Sequence, residues 1–552
     1  MRTRTVTVIA QDPSVKTAGK ILRSKIEIPW ESLQPGPKGS RFHVIDHDFS
    51  TSTTYKPAQS LEEDDPYADK SDKELLEDPS FHAVNTYAIG MSILSAFENA
   101  LGRRIGWAFR GPQLKIAPHA FAEANAYYSR SAESLLFGYI PERHTTVFTC
   151  LSHDIIAHET THAIVDALRP NYMRHSLPDQ VGFHEGFSDL IALLSVLTQE
   201  SVIAFALSKG DKTKGRMIRK EALSVERLKD SVLFGLARQF GSTVDKMRGA
   251  LRRSIKLPPG NDSDRSQIYL DEPHYRGEIL VAAVMSAFIE VWYNRFNDYL
   301  EENNRVSRMH VISEGAAAAR SLRTIIIRAL DYIPPIHLSY EALLVGIRTA
   351  DRELYPEDVY HYRDALLAGF ERYGITIDAQ TPDFDLIDTD LCWHRESEAY
   401  RYQFVHADGL RYDKNEAYRF VWDNKDKLGL HQSAYTEITS VNPIIRNGAD
   451  GFVVRETIIE YLQLLNFKAY ESEQVAGIRI KTRDENKVYR IHGGGVIILD
   501  EFGRVKYHVH SKITDSDKQQ QYVNYLDWIK ERSWASDEDL RFSRLHVHRM
   551  VV

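Results

Sequence analysis

The chain has almost no cysteine: Cys150 and Cys392 are the only two in 552 residues. Secreted proteins of this size often use disulfides, and two distant thiols point instead to a reducing compartment. The charged start, MRTRTVTVIAQDPS, is followed by neither an apolar core nor a small-residue cleavage site, so it does not read as a secretory signal. No uninterrupted apolar run reaches the length of a membrane span. The expectation is a cytoplasmic protein without a membrane partner. An excess of positive charge is also missing. The net charge of −8 argues against a general nucleic-acid partner, leaving room only for local basic patches. The triplet Gly493-Gly494-Gly495 lacks the lysine and the spacing of a phosphate loop. There is no internal repeat, and nothing specifies an oligomeric state. What remains is ordinary globular material, 43% hydrophobic and 26% charged. It is long enough for two or three domains.

Against that background one stretch stands out: HETTH, His158 to His162, with HEGFSD, His184 to Asp189, downstream. Positions i and i+4 share one face of a helix. His158 and His162 can therefore aim two imidazoles at one point, with Glu159 beside them as a candidate general base. A bare His-Glu-x-x-His also arises by chance. Its surroundings favour a metal, because Ile155, Ile156, Ala163, Ile164 and Ala167 make the segment a buried helix. A buried His-Glu-His face without a partner is costly. Glu185 can supply a third ligand from a second helix. Three protein ligands leave a fourth position for water, the mark of a catalytic zinc site. Asp189 lies one turn beyond Glu185, where it can hold a zinc-bound imidazole through its second nitrogen.

HETTH followed by EGFSD resembles the thermolysin-like gluzincins, whose pattern is H-E-x-x-H and then E-x-x-x-D on the next helix. The resemblance covers roughly residues 1–375. Asn125-Ala126-Tyr127-Tyr128 resembles the edge strand that lines the family's substrate cleft, with Gly138 following. The segment Phe81 to Tyr87 resembles the family's first long helix, and Asp166 sits where the family carries an aspartate. Glu272-Pro273-His274 resembles the segment bearing the catalytic histidine. The resemblance implies a two-lobed zincin with one zinc ion held by His158, His162 and Glu185. It implies Glu159 and His274 in catalysis, and Asn125, Ala126 and Tyr127 in substrate binding. The family's catalytic tyrosine has no clear match. Tyr172 is the one tyrosine in the interval, at the wrong spacing. The cleft arginine could be Arg248, Arg252, Arg253 or Arg276. Asp154 fits one calcium carboxylate, but Val196 and Ala204 stand where others belong, so calcium is not expected.

The expected organisation is α+β. A β-rich lobe spans 1–150, a helical zinc-binding lobe 151–375, and a further α+β domain 376–552, with Pro382-Asp383-Phe384-Asp385 marking the boundary. A chain ended near Ile375 is expected to fold and bind zinc alone. The acidic run around Glu62-Glu63-Asp64-Asp65 reads as a solvated loop, with a flap over the cleft as the alternative. The basic stretch Lys209 to Lys256 reads as an amphipathic surface helix before it reads as a nucleic-acid patch. In the last domain Glu456 to Leu465 reads as a helix and Ile478 to Lys481 as a strand. Val488 to Leu499 reads as a strand interrupted by its glycines. His508 with His510, and His546 with His548, alternate on strand faces and read as exposed before they read as a metal pair.

Two classes of function follow. One is a zinc endopeptidase acting on protein or peptide substrates. The other is a catalytically silent peptidase fold used for binding, for which a retained Glu159 has no use. The last domain serves either recognition of substrate or occlusion of the cleft, with a recognition or regulatory role favoured.

Overall fold

The computed structural model describes residues 2–58, 65–141, 146–210, 215–230, 273–377, 400–406, 408–447, 451, 453–480 and 482–531. Of residues 209–210, 273–274 and 531 it describes the backbone alone. Glu62 to Asp64, Arg248, Arg252, Arg253, Glu272, Pro382 to Asp385, Cys392, His546 and His548 lie outside the described residues, as does most of the basic stretch 209–256.

The first lobe is β-rich. Strands β1 (Thr3–Ile9) and β2 (Arg23–Pro29) pair antiparallel with Val6 opposite Ile26. Both residues are buried, as expected of alternating strands with one face on a core. Strands β3 (Phe42–Val44), β4 (Leu114–Phe121), β5 (Ala126–Ser129), β6 (Ser134–Pro141) and β7 (Thr146–Phe148) form a sheet in the order β7-β6-β4-β3. Strand β5 pairs antiparallel with β6 and with no other described strand, which makes it an edge. Gly138 on β6 is required there. A Cβ on it would meet the Glu123 carbonyl at 2.2 Å and the Asn125 carbonyl at 2.7 Å, just where the loop into β5 passes. Helix α1 (Pro79–Leu101) is capped by Asp78, whose carboxylate accepts from Ser80 N, and it stops at left-handed Gly102. It is apolar on nearly every face and lies in the core. The described part of the acidic segment is tied down. Asp65 accepts from Thr7, and Asp72 accepts from Ile21 N and pairs with Arg23.

The second lobe is helical: α2 (His153–Leu168), α3 (Pro178–Leu197), α4 (Pro273–Asn303), α5 (Arg308–Ala329), α6 (Tyr340–Leu354) and α7 (Tyr362–Glu371). Helices α3 and α4 cross backbone to backbone at Gly186 and Gly277. A Cβ on Gly186 would lie 2.6 Å from the Gly277 carbonyl oxygen. In α4, Tyr275–Asn303 is the one described helix long and apolar enough to cross a membrane, and most of it is buried inside the fold.

The remaining segment is a four-stranded antiparallel sheet with flanking helices. It comprises α8 (Lys414–Asp423), β8 (Tyr435–Asn447), β9 (Val453–Lys468), β10 (Val488–Leu499), β11 (Val505–Ser511) and α9 (Ser516–Glu531), with strand order β8-β9-β10-β11. Here three local expectations are corrected. Glu456 to Leu465 is strand, not helix. Its helix-compatible spacing yields to pairing on both sides, with Ile459 opposite Val441 on one edge and Ile497 on the other. Ile478 to Ile480 is not a strand; it follows the short helix Ser472–Ala476. The glycine triplet does not interrupt β10. A Cβ on Gly493 would strike Ile513 at 2.6 Å, and one on Gly495 would strike the Tyr461 hydroxyl at 2.7 Å. The glycines let neighbours approach the sheet closely.

This sheet does not stand apart. Ile444, Ile458, Val496, Ile498, Tyr507 and Ile529 belong to the same buried cluster as the helical lobe. Ile445 N donates to the Gly102 carbonyl at the end of α1 at 3.0 Å. Arg169, capping the end of α2, pairs with Glu460, and both are buried. Arg446 pairs with Glu456, while Asp331 takes two hydrogen bonds from Arg103, at 2.7 and 2.9 Å.

Candidate metal centre

Two adjacent helices build the centre. Helix α2 presents His158 and His162 one turn apart, their rings 4.5 Å between centroids and nearly perpendicular. Helix α3 presents Glu185 between them. His158 Nε2 lies 3.7 Å from Glu185 Oε2, and His162 Nε2 lies 3.6 Å from Glu185 Oε1. All three side chains are buried, and one donor atom from each lies within 4.8 Å of the others. Tetrahedral zinc at about 2.0–2.1 Å from its ligands separates neighbouring donors by about 3.3 Å. The two imidazoles and the carboxylate are therefore spaced and chosen as a zinc ion requires.

The outer atoms of the rings are held. His158 Nδ1 lies 2.8 Å from Asp189 Oδ1, one helical turn beyond Glu185. This contact fixes the tautomer that turns Nε2 toward Glu185. His162 Nδ1 lies 3.0 Å from His184 Nδ1 and 3.2 Å from Ser188 Oγ. Burial pulls the His158 pKa down, but the carboxylates of Asp189, Glu159 and Glu185 outweigh it and the net direction is up. Burial lowers His184 to about 4, so this ring is neutral at pH 7.

Glu159 points to the edge strand. Its Oε2 accepts from Tyr128 N at 2.9 Å. The same tyrosine donates its hydroxyl to Asp166 Oδ2 at 2.8 Å, and Arg130 Nε donates to that carboxylate at 2.8 Å. Tyr128, His184, Ser188 and Arg130 have no assigned role in the sequence reading. Strand alternation from Ala126 would have placed Tyr128 on the helix side. No sequence spacing announces the His184 ring beside His162.

The other expected residues fall as follows. Asn125 is buried, and its Oδ1 accepts from Ala126 N at 2.9 Å, opening the edge strand. Tyr127 stacks on Phe121, with ring centroids 5.6 Å apart. Tyr172 is fully buried and donates its hydroxyl to the Pro334 carbonyl at 2.5 Å, which makes it a core residue. Arg276 Nε donates to Asp179 at 2.7 Å, tying the start of α4 to the start of α3. His274 lies in the first turn of α4, and its side chain lies outside the described residues. Its backbone is about one turn from the Gly186–Gly277 crossing and hence near the ligand Glu185. His508 and His510 are buried, not exposed. His508 Nε2 meets Tyr461 OH at 2.9 Å, and the His508 and His510 ring centroids are 4.5 Å apart.

Compared with known protein families and with curated proteins, the chain matches none. The geometry therefore carries the assignment. His158-Glu159-x-x-His162 with distant Glu185 matches the zinc-binding site of a thermolysin-like gluzincin, in a β-rich lobe followed by a helical lobe and a further α+β region. The cluster is that of a catalytic zinc metallopeptidase.

Proposed function

We propose that the protein is an endopeptidase that hydrolyses internal peptide bonds of protein or peptide substrates, with Glu159 as general base. The observation that carries the reading is the position of Glu159. It is next to a metal ligand but is not one of the three, and one of its carboxylate oxygens is anchored by the N–H of Tyr128 on the edge strand. His158, His162 and Glu185 would hold a zinc ion, which would supply Lewis acidity to the scissile carbonyl and lower the pKa of the attacking water.

The rest falls to the chain's own side chains. Glu159 accepts a proton from the water as its oxygen bonds to the carbonyl carbon. It then passes that proton to the nitrogen as the C–N bond breaks, leaving a carboxylic acid and an amine, and the acid's remaining proton passes to the amine or to solvent. The Tyr128 N–H holds the Glu159 carboxylate in register for both transfers. His274 stabilises the oxyanion that forms between them. Asn125, Ala126 and Tyr127 receive the substrate as an added strand along β5. Asp189 keeps His158 oriented. Residues 376–552 act in recognition or regulation from a sheet packed on the helical lobe.

The test is a peptide-library digest with metal analysis on the same preparations. Glu159→Gln should keep its zinc and lose at least about 10² to 10⁴-fold in rate, the usual worth of a general acid–base group. A chain that holds zinc but cleaves nothing even with Glu159 intact would be a binding protein on a peptidase fold. A Glu159→Gln variant as active as wild type would refute the mechanism.

A further inference from the structure

Away from the peptidase centre, three donor side chains converge from three separate elements. His82 lies in the first turn of α1, His119 on β4, and Cys150 in the short turn Thr149–Leu151 that leads into α2. All three are buried, and one donor atom from each lies within 4.8 Å of the other two.

The hydrogen bonds fix which ring nitrogens carry hydrogen. His82 Nε2 lies 3.0 Å from the Leu76 carbonyl oxygen, which can only accept, so this nitrogen is the donor. His119 Nδ1 lies 2.7 Å from Asp46 Oδ2 and likewise donates. In neutral rings, His82 Nδ1 and His119 Nε2 then each present a lone pair. These two atoms face each other at 2.8 Å. Two lone pairs at that distance repel, and a positive centre must relieve them. A proton could do so with no third donor. The thiol of Cys150 supplies one, and the anchoring of both rings through their outer nitrogens is the arrangement metal-bound histidines use. Phe148 packs against both rings, with centroids 4.8 and 5.0 Å away. Asn85 Nδ2 holds the Cys150 carbonyl at 3.1 Å. A cavity of about 1080 Å³, lined by His82, His119, Tyr55 and Phe148 among others, reaches the rings. It gives an ion a way in and leaves room for a water as fourth ligand.

We propose that His82, His119 and Cys150 bind a second zinc ion, separate from the one at His158, His162 and Glu185. Two imidazoles and a thiolate are a borderline-soft donor set suited to zinc. Binding releases the thiol proton to solvent, and the facing nitrogens separate to the roughly 3.3 Å that tetrahedral ligands require. Cys150 stands immediately before α2. The ion therefore staples the entry of the peptidase helix to α1 and β4.

The experiment uses the full chain carrying Cys392→Ser, so that Cys150 is its one thiol, loaded with Co²⁺ and analysed for metal. The expected result is two equivalents of metal and a thiolate-to-cobalt charge-transfer band in the near ultraviolet. His162→Ala should remove one equivalent and keep the band. Cys150→Ser should remove the other equivalent and the band together. The spectrum of the parent protein needs no further variant to fold. A single equivalent without the band, lost in His162→Ala, would overturn the second site and leave the peptidase centre standing. Two equivalents without the band would also overturn it. A band with no His162-dependent equivalent would support this site and count against the peptidase centre instead.

Discussion

Replacing Glu460 by Gln tests whether the C-terminal sheet is part of the peptidase fold. Arg169 ends the zinc helix α2, and its guanidinium is held by Glu460 on β9 and by the Leu330 carbonyl. Both partners of the ion pair are only 4% exposed. Gln keeps the volume but removes the charge, so Arg169 is left buried without its counter-ion. Breaking a buried pair from one side costs about 3–5 kcal/mol. Against a typical net stability of about 5–15 kcal/mol, that is roughly a fifth of the total or more. The assay is the unfolding midpoint by far-ultraviolet circular dichroism, with zinc content measured on the folded protein. A lower midpoint with zinc retained at 25 °C is expected. The double variant Arg169→Met/Glu460→Leu should recover most of the loss, since apolar packing of similar volume replaces a buried pair at little cost. A Glu460→Gln protein as stable as wild type would mean that Arg169 is solvated and that the suture is absent. The same packing bears on truncation. A chain ended after Ile375 loses Ile444, Ile458, Val496 and Ile498 from the shared core. It should be recovered insoluble or poor in zinc, against the independence that the sequence alone led us to expect. A soluble, zinc-loaded truncation would restore that expectation.

Three further outcomes follow from the geometry. Asp189→Ala frees the His158 ring and should weaken zinc binding about 10 to 100-fold, the usual cost of losing such a partner, as measured by chelator competition; unchanged affinity would mean that Glu185 and His162 alone fix the site. Gly277→Ala drives a methyl into Gly186 on the adjacent helix, where the nearest backbone atom is 2.8 Å away. It should cost about 1–3 kcal/mol by overpacking and lower zinc occupancy as Glu185 shifts, while a neutral result would show that the helices can part freely. The third concerns pH. Burial raises the Asp331 pKa, but Arg103 and then Arg446 outweigh it and hold the carboxyl below its usual 3.8. The folded state thus binds this proton later than the unfolded chain, so the contribution is complete above pH 3.8 and is lost as pH falls below it. The stability gap between wild type and Asp331→Asn should stay flat from about pH 5 upward and narrow in acid; a gap that instead narrows as pH rises would reverse the assignment.

How far the site was legible follows from the range over which its residues act. His158, His162, Glu185 and Asp189 are read from i, i+4 spacing, because helix geometry alone brings such residues to one face. The edge strand was legible as far as its residues, since Ala126 to Tyr128 run along one strand and Asn125 opens it. The hydrogen bond from Tyr128 N to Glu159 was not, because it depends on how that strand lies over α2. The C-terminal sheet was misread for a related reason. Glu456 to Leu465 carries a spacing that a helix would also accept, and the deciding partners, Val441 and Ile497, come from other strands. The trio His82, His119 and Cys150 comes from three elements with no common period. Only the fold brings it together.

The edge strand and the base form one mechanical unit. Tyr128 offers its N–H to Glu159 and its hydroxyl to Asp166, so a single residue of β5 grips the zinc helix at two points. Asp166 lies one turn beyond His162 and takes a further bond from Arg130, two residues along the chain from Tyr128. A substrate strand added along β5 would therefore press on the element that orients the general base. Removing only the hydroxyl, in Tyr128→Phe, leaves the N–H to Glu159 in place and cuts the second grip. If the two grips act together, kcat should fall while zinc content holds and KM changes little, because the base is misaligned and not removed. A rise in KM alone would instead assign Tyr128 to substrate binding. Loss of zinc would show that Asp166 and its partners support the ligand helix itself.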